Sequence, residues 1–336
     1  MDTITRLLDS VNFKLPGRRW ELFEWCDLWF VPPFIKYACQ ETLTAQWTNR
    51  IPFLQQYPPA LPAAEIISSL LEKLENDTNI SSPSAPPSWT VIDFCSGAGG
   101  PTPFIEKHIN AARSRQIKHP IPFRLSDIQP NLDAWMEHSS RSGNLSFIPQ
   151  SVDATDPPLS AVSVIEDSIA SNGQYASKKK RGRKRKVLRL FNLSFHHFSD
   201  PAAKAVLSST LLTSDAFVII ELQDRNILSL ILMALEPWFL ILITALWFWH
   251  DWPHLIFTYA LPVLPMIMSW DGLVSCLRTR TVNEIEALVD EVRRDSKLGA
   301  DGDVCDLAQE WRFGSARKLH TWPGLYMSVV YGMRQK

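Results

Sequence analysis

What this 336-residue chain lacks narrows its class first. Its five cysteines, Cys26, Cys39, Cys95, Cys276 and Cys305, make no C-x-x-C pair and are odd in number. That argues against a disulfide framework or a zinc knuckle and for a reducing compartment. The opening MDTITRLLDS has no apolar run of the signal-peptide kind, so the sequons at Asn76, Asn79, Asn144 and Asn192 have no secretory context. Charged residues are sparse at 21% and nearly balanced, with a net charge of −1. The molecule as a whole therefore lacks the electrostatic footprint of a nucleic-acid binder, and no nucleic acid is expected as partner. No H-E-x-x-H or comparable spacing occurs, and the adjacent His196 and His197 do not easily turn both rings to one ion, so no metal is expected.

Apolar residues make up 46% of the chain and tryptophan is frequent at 13, ample for one large domain with appendages. Residues 1–80 read as a mostly helical cap, aromatic-rich from Trp20 to Trp47 and with helical spacing over 62–75. SSPSAPPS at 81–88 is a linker. Strand-like and helix-like segments then alternate, the pattern of a parallel sheet wrapped by helices. The strands are expected at 89–94, 121–126, 145–150, 187–193, 216–222, 305–313 and 324–333, the helices at 102–115, 130–140, 200–212 and 281–293. The boundaries predicted are a cap at 1–80, a ligand-binding core at 86–225, a hydrophobic hairpin at 226–277, and a last helix with two core strands at 278–336.

Two segments break the alternation. Residues 160–186 end in KKKRGRKRK, which holds eight positive charges, so without it the net charge of −1 becomes −9. Such a run reads as a solvated insert, a nuclear-localisation signal or a patch for anionic lipid. The second segment, 226–277, opens with ILSLILMALEPWFLILITALWFW, whose one charge is Glu236. At about 1.5 Å per residue this run reaches roughly 34 Å, the thickness of a bilayer's hydrocarbon. A second apolar run follows from 255, interrupted by Pro262 and Pro265. Arg225, Arg278 and Arg280 flank the pair and the connecting HDWPH has no Lys or Arg, the positive-inside pattern of a hairpin with both ends in the cytosol. A membrane-associated hairpin is therefore expected, distorted at Glu236–Pro237, with buried core helices or an apolar lid as the alternative.

The chemistry concentrates at the strand ends. In VIDFCSGAGGPTPF (91–104) an apolar strand ends at Asp93, and a turn with Gly97, Gly99 and Gly100 opens a helix. Glycine permits the sharp bend and the close approach of a ligand, and the helix N-terminus offers free N–H groups. A dinucleotide fingerprint would place a third glycine at 102, where this chain has Thr102. Asp127 ends the second strand, Asp153 follows the third, and FNLSFHHFSD (191–200) ends the fourth with Asn192, His196 and His197. All would share the carboxyl edge of one sheet, where open α/β folds bind ligands. A neutral imidazole there could take a proton from a nucleophile, or could merely orient the next helix. Glu221, at the end of the fifth strand, is a further edge acid.

The pattern D-x-x-x-G-x-G-G resembles the first motif of class I S-adenosylmethionine-dependent methyltransferases, which fold as a doubly wound, seven-stranded Rossmann-like α/β sheet. From about residue 18 onward the chain is similar to a bacterial and fungal family of such enzymes with a C-terminal hydrophobic hairpin. The matching stretches are ELFEWCDLWFVPPFIKYA, VIDFCSGAGGP, LSDIQPN, SVDATDPP, LFNLSFHHF, FTYALPVLPMIMSWDGLVSCLRT and PGLYMSVVYGM. The resemblance implies S-adenosyl-L-methionine as cofactor, held by Asp93, Cys95, Ser96, Gly97, Gly99, Gly100, Asp127, Ile128, Asp153, Ala154 and Asn192. It implies that Asn192, Phe195, His196 and His197 face the site, and it implies no particular acceptor. The segment from Trp270 to Thr279 is its most specific part, and the insert at 160–186 and Leu193 are departures from it.

The expected function is methyl transfer to a small apolar or amphipathic acceptor, such as a lipid, an isoprenoid or a secondary metabolite, at a membrane surface. The catalytic domain is expected to face the cytosol. A nuclear or nuclear-envelope site through 178–186, a protein or nucleic-acid acceptor docked by the basic run, and a non-catalytic cofactor-binding membrane protein are the alternatives.

Overall fold

A computed structural model describes residues 12–76, 89–162, 185–298 and 311–335, together with Leu7 and Ser10. The linker 81–88, most of the basic insert, Cys305 and the first part of the strand expected at 305–313 lie outside the described residues.

Seven strands form one sheet: β1 (Trp89–Phe94), β2 (Phe123–Ser126), β3 (Leu145–Phe147), β4 (Lys186–Asn192), β5 (Ala216–Glu221), β6 (Trp311–Thr321) and β7 (Leu325–Arg334). Their order is β3-β2-β1-β4-β5-β7-β6. β1 to β5 run parallel, and β7 pairs antiparallel with both β5 and β6. Every residue of β1 and β5 is buried, which is why those segments read as continuous apolar runs. The strand direction of winding reverses between β1 and β4, and a crevice opens at their carboxyl ends.

Eight α-helices of nine residues or more surround the sheet among the described residues: α1 (Pro33–Thr48), α2 (Ala60–Asn76), α3 (Thr102–Arg115), α4 (Leu132–Ser140), α5 (Asp200–Thr213), α6 (Ile227–Trp247), α7 (Val263–Arg278) and α8 (Val282–Leu298). One face of the sheet packs on α2 and α3 through Ile67, Leu71, Ile105 and Ile109. The other packs on α5 and α8 through Val206, Leu207, Ile285 and Val289. A third apolar cluster joins Val31, Ile35 and Cys39 to Leu240, Ile243, Leu264 and Met268, tying α1 to α6 and α7 as a cap.

Several expectations are corrected. Residues 12–32 are not helical: they cross the molecule in extended form, pairing at Lys14 with Asn226 and passing Leu277, with one short turn at Trp25–Asp27. β3 stops at Phe147, and β6 runs on from Trp311 to Thr321 because a tight connection lets it pair with β7 along its whole length. α6 continues through Pro237 without a break. The second apolar run is the broken one: Trp252–Ala260 and Val263–Arg278 meet at 79° around Leu261–Pro262. A proline ring cannot supply the N–H that would carry a helix across that point.

Candidate functional site

The turn after β1 is built from left-handed backbone. Cys95 (φ 61°), Gly97 (φ 51°), Gly99 (φ 106°) and Gly100 (φ 48°) all take positive φ. Asp93, 1% exposed, sits beneath this turn. The Thr102 hydroxyl donates to Asp93 Oδ2 at 2.6 Å, and Asn192 Nδ2 donates to Thr102 Oγ1 at 3.0 Å and reaches Asp93 Oδ1 at 3.4 Å. Thr102 thus locks β1 to β4 through a hydroxyl that a third glycine could not provide. Burial pushes the Asp93 carboxyl up to about 7 against the pull of Thr102, Ser96 and Asn192. Asp127 accepts from Gly97 N–H and Gln129 N–H, both at 2.8 Å, so the second strand end clamps the glycine turn. Burial raises this carboxyl too, against those backbone donors.

A cavity of about 500 Å³ opens above these residues, within the roughly 300–1,000 Å³ usual for small-molecule sites. Of the residues singled out from the sequence, Asp93, Cys95, Ser96, Gly97, Gly100, Asp127, Ile128, Asn192, His196 and His197 line it. Gly99, Asp153 and Ala154 do not. Gly99 faces His138, whose ring carbon lies 3.1 Å from where a Cβ would stand. Ala154 is buried elsewhere in the core, and exposed Asp153 closes a local turn with the Thr155 N–H and hydroxyl. Asp153 is still near enough for its charge to help raise the Cys95 thiol, after burial and the charges of Asp127 and Asp93.

The histidine turn, Phe195–His197, is held by arginines. Arg19 donates to the carbonyls of His196 and Phe198, Arg278 to that of His197 at 2.6 Å, and Arg280 to those of Phe195 and Phe198. Phe195, expected to face the site, is instead buried in the core against Phe191 and Phe198. The rings of His196 and His197 lie 4.3 Å apart. His196 is 2% exposed, with Nδ1 2.8 Å from Glu221 Oε2, while Nε2 has no hydrogen-bond partner. His197 Nδ1 lies 3.0 Å from Asp27. The carboxylate of Glu24 stands between the two rings, 3.6 Å from His196 Nε2 and 3.5 Å from His197 Nε2. Burial works against protonation of His197, but Glu24 and Asp27 outweigh it and raise this imidazole to about 9. His197 is therefore a cation at neutral pH, and the two histidines are chemically distinct. The expectation that adjacent histidines cannot face one point is also corrected: both Nε2 atoms flank the same carboxylate.

Glu24 and Asp27 carry this arrangement, and no motif pointed to them. Their signal lay in the stretch ELFEWCDLWF and its partner WDGLVSCLRT. Asp271 accepts from the N–H groups of Trp25 (2.6 Å) and Cys26 (3.1 Å), and Arg278 pairs with Asp27 at 3.0 Å. The two stretches are thus one clamp. Beyond the histidines the cavity is walled by Leu232, Phe239, Ile243 and Met268 of α6 and α7 and by Leu43 and Trp47 of α1. Glu236 points inward, bonded by Gln46 Nε2 at 2.7 Å, rather than outward from α6.

No family model and no curated protein matches the chain. Among solved structures it is similar to magnesium protoporphyrin IX methyltransferase from Synechocystis PCC 6803 with bound SAM (9% identity, TM-score 0.38, covering 88% of this chain and 90% of that one). It is also similar to a plantazolicin methyltransferase in complex with SAH and a substrate analogue (10%, TM-score 0.42, 91% and 100%). A third is the DszA carbon methyltransferase (10%, TM-score 0.42, 83% and 55%). These likenesses are distant.

Proposed function

We propose that this chain is an S-adenosylmethionine-dependent methyltransferase acting on a small, apolar or amphipathic acceptor at a membrane surface. One observation carries the reading: a single cavity joins the glycine turn, the buried acids and an unpartnered histidine nitrogen to an apolar chamber under α6 and α7.

The residues fit the cofactor. Gly100 has nothing within 4 Å of a would-be Cβ, so the turn leaves room for a ligand against backbone. Asp127 keeps lone pairs beyond its two backbone donors, enough to accept from ribose hydroxyls. Asp93 supplies negative potential beneath a positively charged ligand. When bound, the sulfonium supplies an already electrophilic methyl group. The protein's share is alignment and exclusion of water. Of the two histidines, His196 is the proton acceptor, because His197 already carries a proton at neutral pH. Glu221 orients His196 through its Nδ1, which leaves Nε2 toward the cavity. Asn192 is a positioning residue, since its amide is spent on Thr102 and Asp93.

The membrane part rests on the outer face of the cap. Ile231, Leu235, Trp238, Leu242 and Leu246 repeat at three- and four-residue spacing along α6 and are exposed, Leu242 and Leu246 by 71% and 74%. Trp249, Trp252, Met266, Trp29, Phe30 and Phe34 are exposed as well. An apolar surface of this extent on water is costly, and a bilayer is the apolar phase that suits it. The bend of 79° in the second run suits a hairpin that enters and leaves on one side of the bilayer, and the flanking arginines put that side in the cytosol.

Calorimetry with S-adenosylmethionine and tritiated-methyl transfer into lipid, protein and RNA fractions test the reading. Binding to the wild type, at least tenfold weaker binding to Gly97→Leu, and label in the lipid fraction are expected. Equal affinity in both proteins would dispose of the cofactor site, and label in protein or RNA alone would dispose of the acceptor class.

A further inference from the structure

The geometry points to a second ligand: Glu24, His196 and His197 form a binding site for one divalent transition-metal ion. One ligating atom from each of the three lies within 4.8 Å of the other two. Glu24 Oε1 to His196 Nε2 is 3.6 Å, and Glu24 Oε2 to His197 Nε2 is 3.5 Å. Ligands held about 2.0–2.1 Å from an ion at tetrahedral angles stand roughly 3.4 Å apart, and each carboxylate–imidazole distance is close to that.

The surroundings match a metal site in a second respect. A ligating histidine is usually fixed by a carboxylate on its other nitrogen, which turns the remaining lone pair toward the ion. Both histidines have that partner: Glu221 lies 2.8 Å from His196 Nδ1, and Asp27 lies 3.0 Å from His197 Nδ1. Third, His196 Nε2 is buried without a hydrogen bond, a cost that an ion would remove. Three carboxylates, Glu24, Asp27 and Glu221, surround the point. The nearby cation Arg278 is engaged with Asp27 and the His197 carbonyl, and Glu24 Oε1 also accepts from Arg278 at 3.4 Å and from the Ser275 hydroxyl at 3.3 Å.

Another grouping, Glu41, Asp251 and His254, shows what a non-site looks like. There His254 Nδ1 is bonded to Asp251, and Nε2 is taken by the Ala38 carbonyl at 3.1 Å and Thr42 at 3.3 Å. That histidine has no lone pair to give.

Two imidazoles and one carboxylate select a zinc-class ion over magnesium or calcium, which prefer all-oxygen shells. All three residues line the cavity, so an open coordination position would face it. The inference stands apart from the methyl-transfer reading, because metal binding here needs no cofactor. An ion would compete with a proton at both imidazoles, and at neutral pH it would have to displace the one that His197 holds.

Titration of the chelator-stripped full chain with Co²⁺, followed by its d–d absorption, tests the site. One ion per chain with a four- or five-coordinate spectrum is expected. His197→Ala, or His197→Gln should the first fail to fold, should weaken binding by about 100-fold or more at unchanged melting temperature. Glu221→Gln should weaken it about tenfold or more, and His254→Ala should leave it intact. A six-coordinate aquo-like spectrum, no binding, or full binding in the His197 variant would overturn the assignment. S-adenosylmethionine calorimetry on the stripped protein is expected to be unchanged, which separates failure of this site from failure of the cofactor site.

Discussion

Asp93 is the residue on which sequence and structure meet most directly. Its place at the end of an apolar strand before a glycine turn marked it in the sequence. Its raised titration comes from burial, against hydrogen bonds from Thr102, Ser96 and Asn192, the last of these 99 residues away. Because the folded carboxyl titrates at about 7, well above the unfolded range near 4, its contribution to stability is full below about pH 4 and is lost as pH rises through about 7. A positively charged ligand prefers the ionised form, so binding runs the other way. The affinity for S-adenosylmethionine should fall about tenfold per pH unit below 7. Asp93→Asn should bind weakly at every pH and flatten the profile. Calorimetry between pH 5 and 8, a window of about three units, checks this; an unchanged slope in the variant would remove Asp93 from the cofactor's field. The histidines illustrate the opposite case. Their presence was legible, but their difference was not, because Glu221 fixes one and Glu24 with Asp27 protonates the other.

At the level of elements, most of the sheet could be read from the alternation of apolar runs and turn signals. β1, β4, β5 and β7 fall within one or two residues of expectation, since buried strands need continuous apolar runs. The extended path of residues 12–32 was not readable, because aromatic residues suit a helix face and a clamped strap equally. What decides is Asp271 on α7, 9% exposed, which takes two backbone N–H groups of the turn at Trp25–Asp27. Removing a buried charged acceptor leaves both donors unpaired. Asp271→Ala should therefore cost about 2 kcal/mol or more in urea unfolding. It should also raise the Km for the acceptor more than it lowers kcat, because the strap that carries Glu24 is loosened. A loss below about 0.5 kcal/mol would mean that the clamp is not what holds the strap.

For the whole molecule, the inner and outer faces of the cap divide the work. Leu232, Leu240 and Ile243 turn inward with Glu236, and Ile231, Leu235, Trp238, Leu242 and Leu246 turn outward. The inward face packs in the cap and carries Glu236, the one charge of the helix, and the outward face is apolar and exposed. The triple variant Trp238→Ser, Leu242→Ser, Leu246→Ser removes three exposed apolar side chains, each worth about 1.5–3 kcal/mol of transfer free energy when buried in an apolar phase. Flotation with phosphatidylcholine vesicles should show binding of the wild type and a loss of at least 100-fold in partitioning for the variant. Equal flotation of both proteins would place any membrane contact elsewhere.

The amino-acid order by itself determined the α/β class, the strand ends bearing Asp93, Asp127, Asn192 and the histidines, and the apolar length of 227–247. Each of these is a local matter, set by periodicity, by the conformational freedom of glycine and by runs of apolar residues. Only the tertiary structure decided that Glu24 and Asp27 complete the histidine pair, that Asp153 stands outside the cavity, and that Glu236 faces inward. Those outcomes depend on which surfaces meet across long stretches of chain. That choice is made by packing α1, α6 and α7 over the switch point of the sheet, and no local pattern encodes it.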